Sequence, residues 1–153
     1  MTVEILHKIF LRYHSVCTDT RKVQKNDLFF ALKGENFNGN LFAQEAIAKG
    51  ASHAIIDDEN YKTTEGCILV DDVLSALQQL AAFHRRYLNI KILALTGSNG
   101  KTTTKELLHT VLSKKFKTIA TRGNLNNHIG VPLTLLNMNN STEIGIIEMG
   151  ANH

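Results

Sequence analysis

Two cysteines, one proline and no apolar run of membrane length set the outer limits of this 153-residue chain. Cys17 and Cys67 stand far apart with no second pair nearby. That excludes zinc-ligand spacing and argues against a secreted disulfide scaffold, so two buried free thiols are expected. No stretch approaches the roughly 20 apolar residues that a bilayer span requires. The segment from Met1 to Lys8 carries an early acid, Glu4, and no long apolar core, which argues against a signal peptide. A cytoplasmic protein is therefore expected. The formal net charge of +3 is too small to argue for nucleic acid. The tightest basic cluster, Lys114, Lys115 and Lys117, falls where a helix should end, and cations there suit the helix dipole. His7, His14, His53 and His109 show no metal-ligand spacing, and His84, on the apolar face of a helix, reads as structural.

What is present is the composition of a soluble globular protein, 43% apolar and 20% charged, with room for one ordinary domain or two small ones. In the first half, residues 3–11 read as a helix, 27–33 as a strand, and 41–49 as a helix closed by Gly50. Residues 53–57 and 67–70 are short apolar runs bounded by polar clusters, which suits buried strands. Asp71 or Asp72 can N-cap a long helix whose stripe is Val73, Leu74, Leu77, Leu80, Ala81 and His84. In the second half, residues 90–96 read as a strand. Residues 101–115 read as a helix with Leu107, Leu108, Val111 and Leu112 on its apolar face. Residues 116–120 form a strand, 129–137 a helix with Pro132 in its first turn, and 144–149 a final strand. Strands alternating with helices predict α/β architecture with parallel sheets and right-handed crossovers. The boundary is placed at 88/89.

The strongest chemical signal is Thr96-Gly97-Ser98-Asn99-Gly100-Lys101-Thr102-Thr103-Thr104, between a strand and a helix. Nucleotide phosphates need backbone N–H groups turned inward, and glycines permit that turn. The helix beginning at Lys101 points its positive end at the anion. Lys101 would add a charge at the β- and γ-phosphates, and Thr102 a hydroxyl for magnesium. The first glycine is Gly97, with Leu95 where a longer phosphate loop has one, so the form is a short G-x-x-G-K-T-T. Glu148 ends the last apolar strand. In a parallel sheet that end shares an edge with the loop after Thr96, where a carboxylate could hold magnesium. Either feature alone has a plainer reading, a capped turn or a solvated acid; the combination favours a nucleotide site.

The loop resembles the ATP loop of the Mur ligase superfamily. Three other stretches carry the same resemblance: Asp19-Thr20-Arg21 with Leu28 to Glu35 (LFFALKGE), Gly123 to Leu136, and Ile147 to Asn152. The last two are similar to the member that adds D-alanyl-D-alanine. Two departures stand out. Thr20 replaces a serine, and Phe37-Asn38-Gly39-Asn40 stands where F-D-G-H is common, which puts the contacts near the UDP site in question.

The resemblance implies a small N-terminal α/β UDP-binding domain (1–88) followed by the start of a P-loop-type parallel-sheet ATPase domain (89–153). It implies an ATP-dependent ligase of peptidoglycan precursor synthesis, joining D-alanyl-D-alanine to UDP-N-acetylmuramoyl-tripeptide with ATP and Mg2+. By the same resemblance, Gly97, Ser98, Asn99, Gly100, Lys101, Thr102 and Thr103 would hold ATP, with Lys101 catalytic. Thr102 and Glu148 would bind the metal. Thr20, Arg21, Gly34, Asn126, Asn127 and His128 would lie on the substrate side. Asp19 and Arg21 could equally be a surface ion pair, and Asn126 and Asn127 could simply satisfy a turn. Family members are much longer, so the chain alone is expected to be inactive and its uncovered sheet edge to favour self-association. A non-catalytic UDP-precursor-binding module, a generic phosphate-loop NTPase and the sister ligase adding the third amino acid are the alternatives.

Overall fold

The computed structural model describes residues 1–150; the Ala151-Asn152 part of the last resemblance stretch lies outside them. The chain divides into two compact units, Met1–Leu80 and Ala81–His153.

The first unit is built on a four-stranded parallel sheet in the order β1-β2-β5-β6. Its strands are β1 (Val16–Cys17), β2 (Leu28–Phe30), β5 (His53–Ile56) and β6 (Cys67–Leu69). Helix α1 (Val3–Tyr13) precedes the sheet. A parallel sheet covered on both faces reads as continuous apolar runs, and Leu28, Phe29, Phe30, Ala54, Ile55 and Ile56 are all buried. Phe29, Ala54, Ile56 and Cys67 share one core cluster with Ala43 and Ala46 of helix α2 (Ala43–Ala48). The small alanines let that helix lie close on the sheet.

The strand expected over 27–33 is cut to three residues. Asp27 is buried but outside the ladder, its carboxylate accepting from the Ser15 hydroxyl at 2.5 Å and the Gln24 N–H at 2.8 Å. Past Phe30 the chain turns into an antiparallel hairpin of β3 (Lys33–Gly34) and β4 (Phe37–Asn38). A short 3-10 turn, Gly39–Phe42, then leads into α2, so the helix begins two residues later than its pattern suggested. Helix α3 (Val73–Leu88) carries the expected stripe: Val73, Leu77, Leu80, Ala81 and His84 are buried. Asp72 is its cap, the carboxylate accepting from the Ser75 N–H at 2.6 Å.

The second unit has three parallel strands in the order β7-β9-β8: β7 (Lys91–Leu95), β8 (Thr118–Ala120) and β9 (Ile144–Glu148). Helices α4 (Lys101–Leu112) and α5 (Gly130–Leu136) complete it. His84 of α3 is buried here and bonds the Met138 carbonyl at 2.9 Å, a structural histidine.

The expected apolar face of α4 needs correction. Leu107 and Val111 are 63% and 67% exposed, while Lys105 is fully buried. At about 100° per residue, Leu108 and Leu112 fall on the side of Lys105 and are half-buried, whereas Leu107 is two residues and some 200° away. No helix of the described residues is long and apolar enough to cross a membrane.

Candidate active site

In the second unit, strand β7 delivers the chain into the glycine loop and α4 leaves it. Gly97 (φ 139°) and Gly100 (φ 75°) both hold backbone conformations that an L side chain rarely adopts, and Gly100 is the N-cap of α4. Ser98, Asn99, Thr102 and Thr103 are exposed to solvent. The Lys101 ammonium folds back and donates to the Gly97 carbonyl of its own loop.

Register brings the acid to this loop. Leu95, the last residue of β7, pairs with Glu148, the last of β9, and the Met149 N–H donates to the Leu95 carbonyl at 2.8 Å. Glu148 is 1% exposed. Its Oε1 accepts from the Thr102 hydroxyl at 3.2 Å and from Asn126 Nδ2 at 2.8 Å, and its own N–H donates to Thr121 Oγ1 at 3.0 Å. Oε2 accepts no hydrogen bond from the described residues, and the Lys105 ammonium stands 3.6 Å away. Burial works to raise the Glu148 pKa. The hydrogen bonds from Asn126 and Thr102, with the charges of Lys105 and Lys101, outweigh it and hold the carboxyl below its ordinary range. The site therefore presents an ionised carboxylate with one oxygen short of donors beside a hydroxyl.

Those two oxygen donors fit a small hard cation. Among the described residues no three His, Cys, Asp or Glu side chains converge. Magnesium does not need them, since it keeps waters and takes one or two protein oxygens together with phosphate.

Lys105 and Thr121 were not singled out from sequence. The available signal for Lys105 was its spacing, one helical turn beyond Lys101. Its ammonium also donates to the Gly123 carbonyl at 3.2 Å and pairs with Glu106 at 3.2 Å. Asn126, expected on the substrate side, donates to Glu148 beside the loop. Asn127 Oδ1 accepts from the Ile129 and Gly130 N–H groups at 3.1 and 2.8 Å, so it caps α5. His128 is exposed in the turn before that helix.

In the first unit, Thr18, Asp19, Thr20 and Arg21 follow β1 and line a cavity of about 560 Å³ with Phe29, Phe37, Phe42 and Glu45. Asp19 accepts from Arg21 Nε at 2.9 Å and Nη2 at 2.8 Å, an in-plane fork. Those hydrogen bonds, led by the Arg21 side chain, bring the Asp19 pKa down to about 2. Gly34 does not line the cavity; it pairs across the hairpin with Phe37, which does. Asn38 and Asn40 are accounted for internally. Asn38 Oδ1 accepts from the backbone and side chain of Asn40. Asn40, 1% exposed, exchanges hydrogen bonds with Asp57 at 2.8 and 3.1 Å.

A glycine loop at a helix start, opposite a strand-end acid on a parallel sheet, is an α/β arrangement suited to an anionic ligand. The profile described as Mur ligase family, catalytic domain, matches residues 12–85, and that described as Mur ligase middle domain matches residues 95–153. The chain belongs to the Mur ligase family. It is 47% identical over 139 residues to UDP-N-acetylmuramoyl-tripeptide--D-alanyl-D-alanine ligase of Bacillus subtilis, covering 90% of this chain and 30% of that protein. The Escherichia coli protein of the same name is 43% identical, with 91% and 30% covered. Among solved structures, MurF from Acinetobacter baumannii superposes with a TM-score of 0.84 at 42% identity, covering 91% of this chain and 30% of that one. MurF ligase from Thermotoga maritima in complex with ADP gives 0.83 at 33% identity, with 94% and 33% covered. The chain spans about a third of the length of these relatives.

Proposed function

We propose that this chain provides the precursor-binding and ATP-binding parts of a cytoplasmic ligase that joins D-alanyl-D-alanine to UDP-N-acetylmuramoyl-tripeptide in peptidoglycan synthesis. The reading rests above all on Glu148 and Thr102 meeting beside the Gly97–Gly100 loop. It is supported by the names of the relatives and by the ADP complex of the Thermotoga protein.

In this reading residues 1–88 hold the UDP precursor, with Thr20 and Arg21 in the cavity beside β1, and residues 89–153 hold ATP. The loop N–H groups and the start of α4 receive the phosphates, and Lys101 leaves the Gly97 carbonyl to lie against them. Thr102 and Glu148 would hold Mg2+, which when bound neutralises charge on the transferring phosphoryl group. The tripeptide carboxylate attacks the γ-phosphorus and ADP leaves. The dipeptide amine then attacks the acyl carbon of the acyl phosphate, releasing phosphate and a proton. Ligation is proposed for a polypeptide of the relatives' length, and binding alone for the 153 residues.

Calorimetric titration of the chain tests this, with circular dichroism confirming the fold. Mg·ATP binding lost in Lys101→Ala, and UDP-N-acetylmuramoyl-tripeptide binding lost in Arg21→Ala, are expected. A folded chain that binds neither ligand would sink the reading.

A further inference from the structure

The oxygen donors beside the glycine loop suit a small hard cation, yet a cation of the chain's own already stands there. Lys105 is fully buried, and its ammonium lies 3.6 Å from Glu148 Oε2, the oxygen that accepts no hydrogen bond from the described residues. The other oxygen, Oε1, takes the Thr102 hydroxyl and the Asn126 amide. The two sides of the carboxylate are thus used differently, one by hydrogen bonds and the other by charge.

Lys105 is held in that place by more than the acid. Its ammonium donates to the Gly123 carbonyl at 3.2 Å and pairs with the exposed Glu106 at 3.2 Å. A buried ammonium with these partners stays beside Oε2 when another cation approaches. Glu148 and Lys105 cancel each other, so the pair has no net charge with which to draw a free metal ion out of water. Magnesium gives up its waters reluctantly and needs such a pull. Nucleotide phosphates change the balance, because they bring negative charge to the loop beside Thr102 and engage Lys101.

We propose that Lys105 is an internal counter-ion that keeps free divalent metal off Glu148, so that the metal enters this site only together with nucleotide phosphate. The proposal rests on the reading of Thr102 and Glu148 as the magnesium ligands, and it adds the residue that sets when they are used. Lys105 touches neither nucleotide nor substrate in this role. It is a positioning residue that acts through Glu148, and its charge rather than its shape carries the effect.

The probes are Mn2+, a paramagnetic stand-in with the same preference for oxygen ligands, and Mn·ATP, titrated into the 153-residue chain by calorimetry and water-proton relaxation. Wild type and Lys105→Arg should bind free Mn2+ weakly and Mn·ATP more tightly. Lys105→Met, shown to be folded by circular dichroism, should gain about tenfold in affinity for free Mn2+, the scale of removing a unit charge beside a dication even at the dielectric of water. That gain should vanish in Lys105→Met/Glu148→Gln. A lysine that merely supports the fold gives no gain, so unchanged or weaker free Mn2+ binding in folded Lys105→Met overturns the proposal. A second measurement needs no loss of the lysine. In wild type labelled with 13C-lysine, Mn·ATP should broaden the Lys105 ε-carbon resonance, identified by its absence in Lys105→Arg, and the same concentration of Mn2+ alone should leave it sharp. Broadening by Mn2+ alone overturns the proposal. Mn·ATP binding that depends on Glu148 while free Mn2+ binding ignores Lys105 removes this role and leaves the metal ligands standing. Mn·ATP binding indifferent to Glu148→Gln overturns both.

Discussion

The ammonium of Lys105 stands 3.6 Å from Oε2 of Glu148, with the lysine fully buried and the glutamate 1% exposed. One turn earlier on the same helix, Lys101 serves the glycine loop. Helix α4 thus offers one cation to the loop and one to the acid. A buried charge is tolerated where partners surround it, and Lys105 has the Gly123 carbonyl and Glu106 besides Glu148.

Removing that cation leaves a buried carboxylate without its counter-charge. Lys105→Met should destabilise the second unit by about 3–5 kcal/mol, since breaking one side of a buried pair is costly. Urea denaturation of the single mutants and of the Lys105→Met/Glu148→Gln double mutant measures it. The double mutant should be less destabilised than the sum of the two single changes. Simple additivity would show that the two groups are not coupled.

The same acid sets a pH dependence. The folded state holds Glu148 below its ordinary value of 4.5, so the unfolded chain takes up the proton more readily. The stabilisation is complete above that ordinary value and is lost as pH falls through the lower folded value. The stability difference between wild type and Glu148→Gln, followed by urea melts from neutral to acid pH, should shift against the wild type over that window. A difference that stays constant across the window would remove the linkage.

Gly130 allows the loop carrying Asn126 to fold against the start of α5. A Cβ at this position would lie 2.4 Å from the Leu125 carbonyl oxygen and 2.5 Å from its carbon, both backbone atoms that cannot swing aside. Gly130→Ala should therefore destabilise by about 1–3 kcal/mol, in the range of overpacking. It should also displace Asn126 from Glu148, visible as a shift of the Asn126 side-chain amide resonances. A thermal melt matching wild type with unmoved amides would contradict the close approach.

Helix α3 depends on its cap. Asp72→Ala removes the carboxylate that accepts the Ser75 N–H and should cost about 0.5–2 kcal/mol in a urea melt, with Asp72→Asn recovering most of it. An unchanged midpoint would mean that solvent satisfies those donors equally well.

Much of this architecture was legible in the linear pattern because the relevant forces are local. The α3 stripe repeats at the helical period, and the apolar runs at 53–57 and 67–70 became β5 (His53–Ile56) and β6 (Cys67–Leu69) of a parallel sheet. Pro132 sits in the first turn of α5, where its missing N–H costs nothing. The loop from Gly97 to Thr104 was legible for the same reason. The positive-φ glycines, the lysine and the helix start are all neighbours in sequence, so their chemistry needs no distant partner.

What required the tertiary structure involves residues far apart in the chain, or a choice between faces that look alike. On α4 the stretch Leu107 to Leu112 offers apolar side chains on two sides. Only packing on the sheet turned Leu108 and Leu112 inward, left Leu107 and Val111 in solvent and buried Lys105. Asn126 and Asn127 are adjacent and chemically identical, yet one bonds Glu148 and the other caps a helix, because the turn sends their side chains different ways. Phe37 and Phe42 are separated by a glycine-centred turn, and nothing in their spacing says that their rings stack beside Arg21. The sequence by itself determined the helices, the longer buried strands and the glycine loop, where short-range periodicity and backbone geometry govern. The tertiary structure alone decided that Lys105 meets Glu148, since the lysine lies buried 3.6 Å from Oε2 only because α4 packs that side against the sheet.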